Sequence, residues 1–193
     1  KIIYSPGEPS GIGPDLIIKL SSSNLWEDLK IPIVSIGDPK LFIDRAAVLK
    51  KKIQIVELES PNEVSENTRG LLQIIKVTKC SNTRPGKLYK NNAQYVLNNL
   101  TYSIEQTMQN EETALVTGPL SKENIISIDK LFIGHTEYIK KITKSKDVLM
   151  MLASDQLRVA LATTHIPLKN VSRTISKELI INKIKILNDC LLY

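Results

Sequence analysis

Imidazole is the side chain that exchanges a proton or ligates a metal near neutral pH. The 193-residue chain has two of them, His135 and His165. His135 lies in Gly134-His135-Thr136-Glu137, where a helix is expected to begin. Two readings of that segment stand. Thr136 caps the helix, or the two side chains and the free helix N–H groups hold a negatively charged substrate. His165 follows an apolar run in Ala162-Thr163-Thr164-His165-Ile166-Pro167. An imidazole at a strand end beside a proline-stiffened turn suits a metal, and a hydrogen-bonded structural histidine is the plainer alternative.

Two further segments carry candidate chemistry. Gly118-Pro119-Leu120-Ser121-Lys122 follows a predicted strand. Ligands gather at the carboxyl ends of strands in open α/β sheets, which would turn Lys122 toward an anion; a solvated surface lysine is the competing reading. Ser5 to Pro14 reads Ser-Pro-Gly-Glu-Pro-Ser-Gly-Ile-Gly-Pro. Its glycine spacing is neither the dinucleotide G-x-G-x-x-G nor a phosphate-binding P-loop. A strand, a glycine loop and a helix start can still expose N–H groups to an anion, and a tight turn without ligand is equally compatible.

The elements that must position these residues alternate along the chain. Apolar runs at Ile2–Tyr4, Ile31–Ile36, Ile53–Leu58, Leu71–Val77 and Thr113–Thr117 read as strands. Helices are expected from Pro14, over Leu41–Lys51, over Asn91–Gln109, over Ser121–Ile126, from Gly134 to Thr143 and from Ser176 to Leu192. Val148–Ala153 and Leu157–Ala162 flank a polar turn and predict a hairpin. Alternating strands and helices imply an α/β architecture, and the hairpin implies a mixed sheet.

Composition narrows the class. Hydrophobic residues make up 42% and charged residues 24%, as in a globular protein with a sizeable core. The net charge of +6 is spread along the chain apart from Lys50-Lys51-Lys52. No aromatic-interleaved basic stripe marks a nucleic-acid surface. No apolar run has the length of a membrane span. Cys80 and Cys190 lack metal-type spacing, which excludes a zinc ribbon and a disulfide scaffold; reduced thiols fit a cytoplasmic protein. The chain opens on Lys1, its first methionine is Met108, and the last helical pattern carries no Gly or Pro stop. An incomplete chain is the expectation.

Four segments together resemble the 4-hydroxythreonine-4-phosphate dehydrogenase family of pyridoxal phosphate biosynthesis. They are Ser5–Pro14, Ala114–Pro119 with Lys122, Gly134–Glu137, and Met150–Ala153 continuing through Leu157–Leu168. Ser10 stands where the family usually has Ala, Ile128–Leu131 lacks the usual Gly and Pro, and residues 40–90 match poorly. The resemblance implies NAD- or NADP-dependent oxidation of 4-phosphooxy-L-threonine with decarboxylation to 3-amino-2-oxopropyl phosphate. A divalent metal (zinc, magnesium or cobalt) assists. By resemblance His135 and Thr136 bind substrate and His165 binds metal, while the general base, two more histidine ligands and most of the nicotinamide site have no counterpart here. The implied fold is the two-domain α/β/α architecture of the isocitrate and isopropylmalate dehydrogenases, working as a homodimer. Residues 1–130 would form most of the first domain and residues 131–193 the start of the second. Such a portion alone would be inactive. A paralogue acting on threonate or erythronate phosphate, and a catalytically dead binding module, are the alternatives.

Overall fold

Successive residues of a strand point to opposite faces of a sheet, and here both faces are covered. Ile3, Val34, Ile36 and Ile75 pack on one side, with Tyr102 and Leu115 against them. Tyr4, Ile33, Leu72 and Ile74 pack on the other, with Ile17, Ile18, Trp26, Phe42 and Ala46. Burial on both faces is why these strands read as continuous apolar runs. The computed structural model describes residues 1–192.

The strands are β1 (Ile2–Ser5), β2 (Ile33–Ile36), β3 (Gln54–Glu57), β4 (Leu71–Ile75) and β5 (Ala114–Thr117). They form one sheet in the order β3-β4-β2-β1-β5, with every pairing parallel. Parallel neighbours need crossovers. Among them are α1 (Gly13–Ser21), α2 (Leu25–Asp28), α3 (Pro39–Val48) and α4 (Ala93–Met108). α3 starts at Pro39 because Asp38 caps it, its carboxylate accepting from the Lys40 N–H. From β1 the chain moves outward to β2, β4 and β3 on one side and returns to β5 on the other. The carboxyl ends of β1 and β5 are therefore a topological switch point.

α5 (Lys122–Ile126) and α6 (His135–Thr143) complete a compact unit, Lys1–Thr143. α6 is seated on α4 by a 2.7 Å hydrogen bond between the hydroxyls of Tyr138 and Thr101.

The residues from Lys144 onward form a second compact unit. In it β6 (Met150–Ala153) pairs antiparallel with β7 (Arg158–Leu161), followed by α7 (Leu168–Thr174) and α8 (Lys177–Leu191). Ser176 caps α8 through the Leu179 N–H. Lys183 ties α8 back to the Asp147 carboxylate and the Val148 carbonyl, each at 2.7 Å.

The expectation of one mixed sheet is corrected. The hairpin exists where expected, but β6 and β7 form their own two-stranded sheet, and the five-stranded sheet is wholly parallel. Two short helices, α2 and α7, fall in stretches to which the sequence reading assigns no element. Among the described residues no helix is long and apolar enough to cross a membrane.

Candidate active site

The glycine-rich loop leaves β1 and meets the loop that leaves β5. The Gly118 N–H donates to the Ser5 carbonyl at 2.7 Å, and the Glu8 N–H donates to the Pro119 carbonyl at 2.9 Å. A Cβ on Gly7, whose φ is +79°, would sit 2.2 Å from the Pro119 oxygen, and one on Gly13 would sit 1.8 Å from the Pro6 oxygen. Backbone passes backbone too closely for any side chain.

At the centre of this loop is the buried carboxylate of Glu8. It accepts from the Ser10 N–H and from Asn124 Nδ2, each at 3.2 Å. The Gly11 N–H is taken by the Glu8 carbonyl. Buried Arg45, reaching over from α3, donates to the carbonyls of Pro9 and Gly11 and pairs with Asp15. The N–H groups of residues 8, 10 and 11 are thus spent within the protein, around a negative charge. The tight turn is thus built from the loop's own contacts, with a carboxylate beside the N–H groups of residues 8, 10 and 11.

Asn124 also donates to the Tyr89 carbonyl at 3.0 Å, so the Glu8–Asn124 contact seats α5 on the glycine loop. Ser121 caps α5 through the Asn124 N–H. Lys122, its first residue, is exposed. Its side chain lies along the entry to α6. A Cβ built on buried Gly134 would be 3.6 Å from Lys122 Cε, 3.7 Å from Nζ and 3.4 Å from Glu137 Oε2.

His135 opens α6 half-buried. Burial, and then the Lys122 ammonium, hold its pKa below the ordinary 6.5; both disfavour a second positive charge. A neutral imidazole offers one donor and one acceptor. Thr136 is the second residue of α6 and lies inside the first turn, so it does not cap the helix. Tyr138 makes the first i to i−4 bond, to the Gly134 carbonyl. The N–H groups of residues 135–137 precede it, in the part of a helix that has no internal acceptors.

His165 belongs to the second unit. It follows β7 in an exposed bend, with φ of +57°. Among the described residues no group of three or more His, Cys, Asp or Glu side chains is placed to hold a metal. Lys122, His135 and Thr136 thus belong to the first unit and His165 to the second.

Glu8, Asn124 and Arg45 escaped the sequence reading. An acidic residue inside a glycine loop was the one available sign of the Glu8–Asn124 contact. Cys80 lies in the same unit, beside a cavity of about 600 Å³ lined also by Lys79, Ser81 and Tyr89. Burial, then the charges of Asp38 and Glu8, push its thiol up to about 12.

Residues 28–193 match the sequence model of the family described as pyridoxal phosphate biosynthetic protein PdxA. A 4-hydroxythreonine-4-phosphate dehydrogenase from Citrobacter koseri is 36% identical over 188 residues, which is 97% of this chain and 56% of that protein. Its namesake from Pseudoalteromonas translucida is 39% identical over 188 residues, with the same shares covered. The crystal structure of a 4-hydroxythreonine-4-phosphate dehydrogenase from Klebsiella pneumoniae superposes with a TM-score of 0.87 at 25% identity, covering 98% of this chain and 57% of that one. The chain thus spans a little over half the length of these relatives.

Proposed function

The chain belongs to the PdxA family, and from that premise we propose that it carries the substrate-binding part of an NAD(P)- and divalent-metal-dependent dehydrogenase. The reaction is oxidation of 4-phosphooxy-L-threonine with decarboxylation to 3-amino-2-oxopropyl phosphate, in pyridoxal phosphate biosynthesis. His135 and Thr136 bind the substrate and His165 is a metal ligand, in a protein that works as a homodimer.

The observation that carries this reading is the entry to α6. A half-buried His135 is kept neutral there beside a cation, next to a hydroxyl and the N–H groups of a first helical turn. Neutral His135 can donate to one substrate oxygen and accept from another group. The Thr136 hydroxyl and the first-turn N–H groups add donors toward negative charge. These groups bind and orient; none is assigned as the general base.

The exposed imidazole of His165 fits a zinc or cobalt ion as one ligand of a larger set. When bound, the metal supplies Lewis-acid polarisation of the substrate oxygen, and the nicotinamide supplies a hydride acceptor. In the glycine-rich loop the N–H groups of residues 8, 10 and 11 are taken by protein acceptors, so they are not the donors this reading relies on.

The test is kinetic, in a protein carrying this chain at the full length of its relatives. Thr136→Ala raises KM for 4-phosphooxy-L-threonine by about tenfold, as loss of one charge-assisted hydrogen bond does, and leaves metal affinity nearly unchanged. His165→Ala weakens metal binding and lowers turnover with it. An unchanged KM in the first variant, or wild-type turnover at limiting metal in the second, overturns the corresponding assignment. Residues 1–193 alone are expected to show no turnover.

A further inference from the structure

Lys122 is not assigned a contact with substrate above, yet its position is closely set by the protein. Its helix is only five residues long, and that helix is fixed by buried contacts. Asn124 bridges the Glu8 carboxylate and the Tyr89 carbonyl, Ile125 is 1% exposed, and Ser121 caps the first turn. The lysine stem then passes Gly134, a buried position without a side chain, within 3.6 Å of where a Cβ would stand. Any side chain larger than a methyl there would push the stem aside.

The ammonium so delivered has no hydrogen-bond or ion-pair partner among the described residues. By contrast Lys40 pairs with Asp44, Lys141 with Asp129 and Lys183 with Asp147. The Glu137 carboxylate approaches the Gly134 notch from the same helix as His135 but does not form an ion pair with Lys122. A seated cation is left facing the helix start where the proposed substrate groups lie.

We propose that Lys122 is a further substrate-binding residue, its ammonium pairing with an anionic group of the substrate at the start of α6. The proposal rests on the reading of His135 and Thr136 as the substrate site. It divides the work between two side chains: Lys122 supplies the charge, and His135 supplies directional hydrogen bonds without competing for the anion. Carboxylate and phosphate share the chemistry that Lys122 recognises, and separate titrations distinguish them.

All three groups lie in the first unit, so binding is measured on the 193-residue chain itself. The probes are inorganic phosphate and, separately, L-threonine. The readout is the NMR signal of the His135 imidazole, assigned with the His165→Gln variant. In the unsubstituted chain one of the two probes moves the His135 signal saturably, and which one does so identifies the anionic group. Lys122→Met weakens that binding about tenfold or more and raises the His135 titration midpoint. Lys122→Arg, which keeps the charge, stays within about threefold of the unsubstituted chain, under 0.7 kcal/mol by the same conversion. Lys122 is exposed, so these variants fold; unchanged Trp26 fluorescence verifies it.

If Lys122→Met binds the probe as well as the unsubstituted chain, the role of Lys122 is overturned while the site stands. If neither probe produces a saturable shift in the unsubstituted chain, the reading of the α6 entry as a substrate site falls, and the proposal with it.

Discussion

Replacing Arg45 with Met tests whether the glycine-rich loop is held by the protein's own contacts. Arg45 is 3% exposed. It donates to the Gly11 carbonyl at 2.9 Å, to the Pro9 carbonyl at 2.8 Å and to the Asp15 carboxylate. Methionine keeps much of the apolar stem and loses every donor. The Pro9 and Gly11 carbonyls then lose their guanidinium partner. Hydrogen bonds to charged groups contribute about 1.5–3 kcal/mol each and do not add simply. Breaking a buried pair from one side costs about 3–5 kcal/mol, and that is the destabilisation expected here. Asp15→Asn is the control. Asp15 retains 23% side-chain exposure and is rehydrated when its partner interaction weakens, so this change should cost about 1 kcal/mol. Trp26 is the chain's single tryptophan and packs in the same cluster as Phe42 and Ala46 of α3. Its fluorescence during urea unfolding therefore reports on the first unit. With a slope of about 2 kcal/mol per molar urea, Arg45→Met should lower the midpoint by about 2 M. A shift below about 0.5 M at unchanged slope would show that the loop does not depend on Arg45.

The other predictions concern proton equilibria and close contacts. His135 has a folded pKa below 6.5, so unfolding takes up a proton between that value and 6.5. Its contribution to stability is present above pH 6.5 and is lost as pH falls through the folded pKa. Urea midpoints measured across that window should fall more steeply in the unsubstituted chain than in His135→Gln, and parallel curves would refute the assignment. Cys190 is exposed, whereas Cys80 is half-buried with its thiol pushed up to about 12. At mildly alkaline pH a thiol reagent should modify Cys190 first, and equal rates would contradict the environment described for Cys80. Gly13→Ala places a methyl carbon 1.8 Å from the Pro6 oxygen, a backbone collision that no rotamer relieves. That variant should lose the cooperative Trp26 transition, and a midpoint near that of the unsubstituted chain would show that the two loops can move apart.

Much of the architecture was legible because the sheet buries both faces. Ile2–Tyr4, Ile31–Ile36 and Leu71–Val77 announce strands by apolar content alone; the last two contain the observed strands, and the first covers β1 except for Ser5. The helix starts expected at Ser121 and Ser176 coincide with the residues that cap α5 and α8, whereas Thr136 lies inside the first turn of α6 rather than capping it. α2 was not, since four residues are too few to show helical periodicity, and its purpose is to bury Trp26. Of the candidate site, the strand-end position of Lys122 and the helix-start position of His135 were visible. That the two lie side by side was not, because their meeting depends on Asn124 reaching Glu8, more than a hundred residues away in the chain.

The glycine-rich loop shows why spacing misleads. Glycines that cradle a phosphate and glycines that let two backbone segments touch leave the same trace in a sequence, since both answer to a close approach that a Cβ would block. The discriminating facts are which oxygen the missing Cβ would strike and where the N–H groups point. Here Gly13 and Gly118 are both excluded from carrying a side chain by one acceptor, the Pro6 carbonyl, at 1.8 and 2.3 Å, and Gly7 is excluded by Pro119. The loop's N–H donors at residues 8, 10 and 11 end on Pro119 and on Glu8 itself. All of those partners are protein atoms. The loop's role at the switch point is therefore to bring the carboxyl ends of β1 and β5 together and, through Glu8 and Asn124, to set α5 at the angle that presents Lys122 to the first turn of α6.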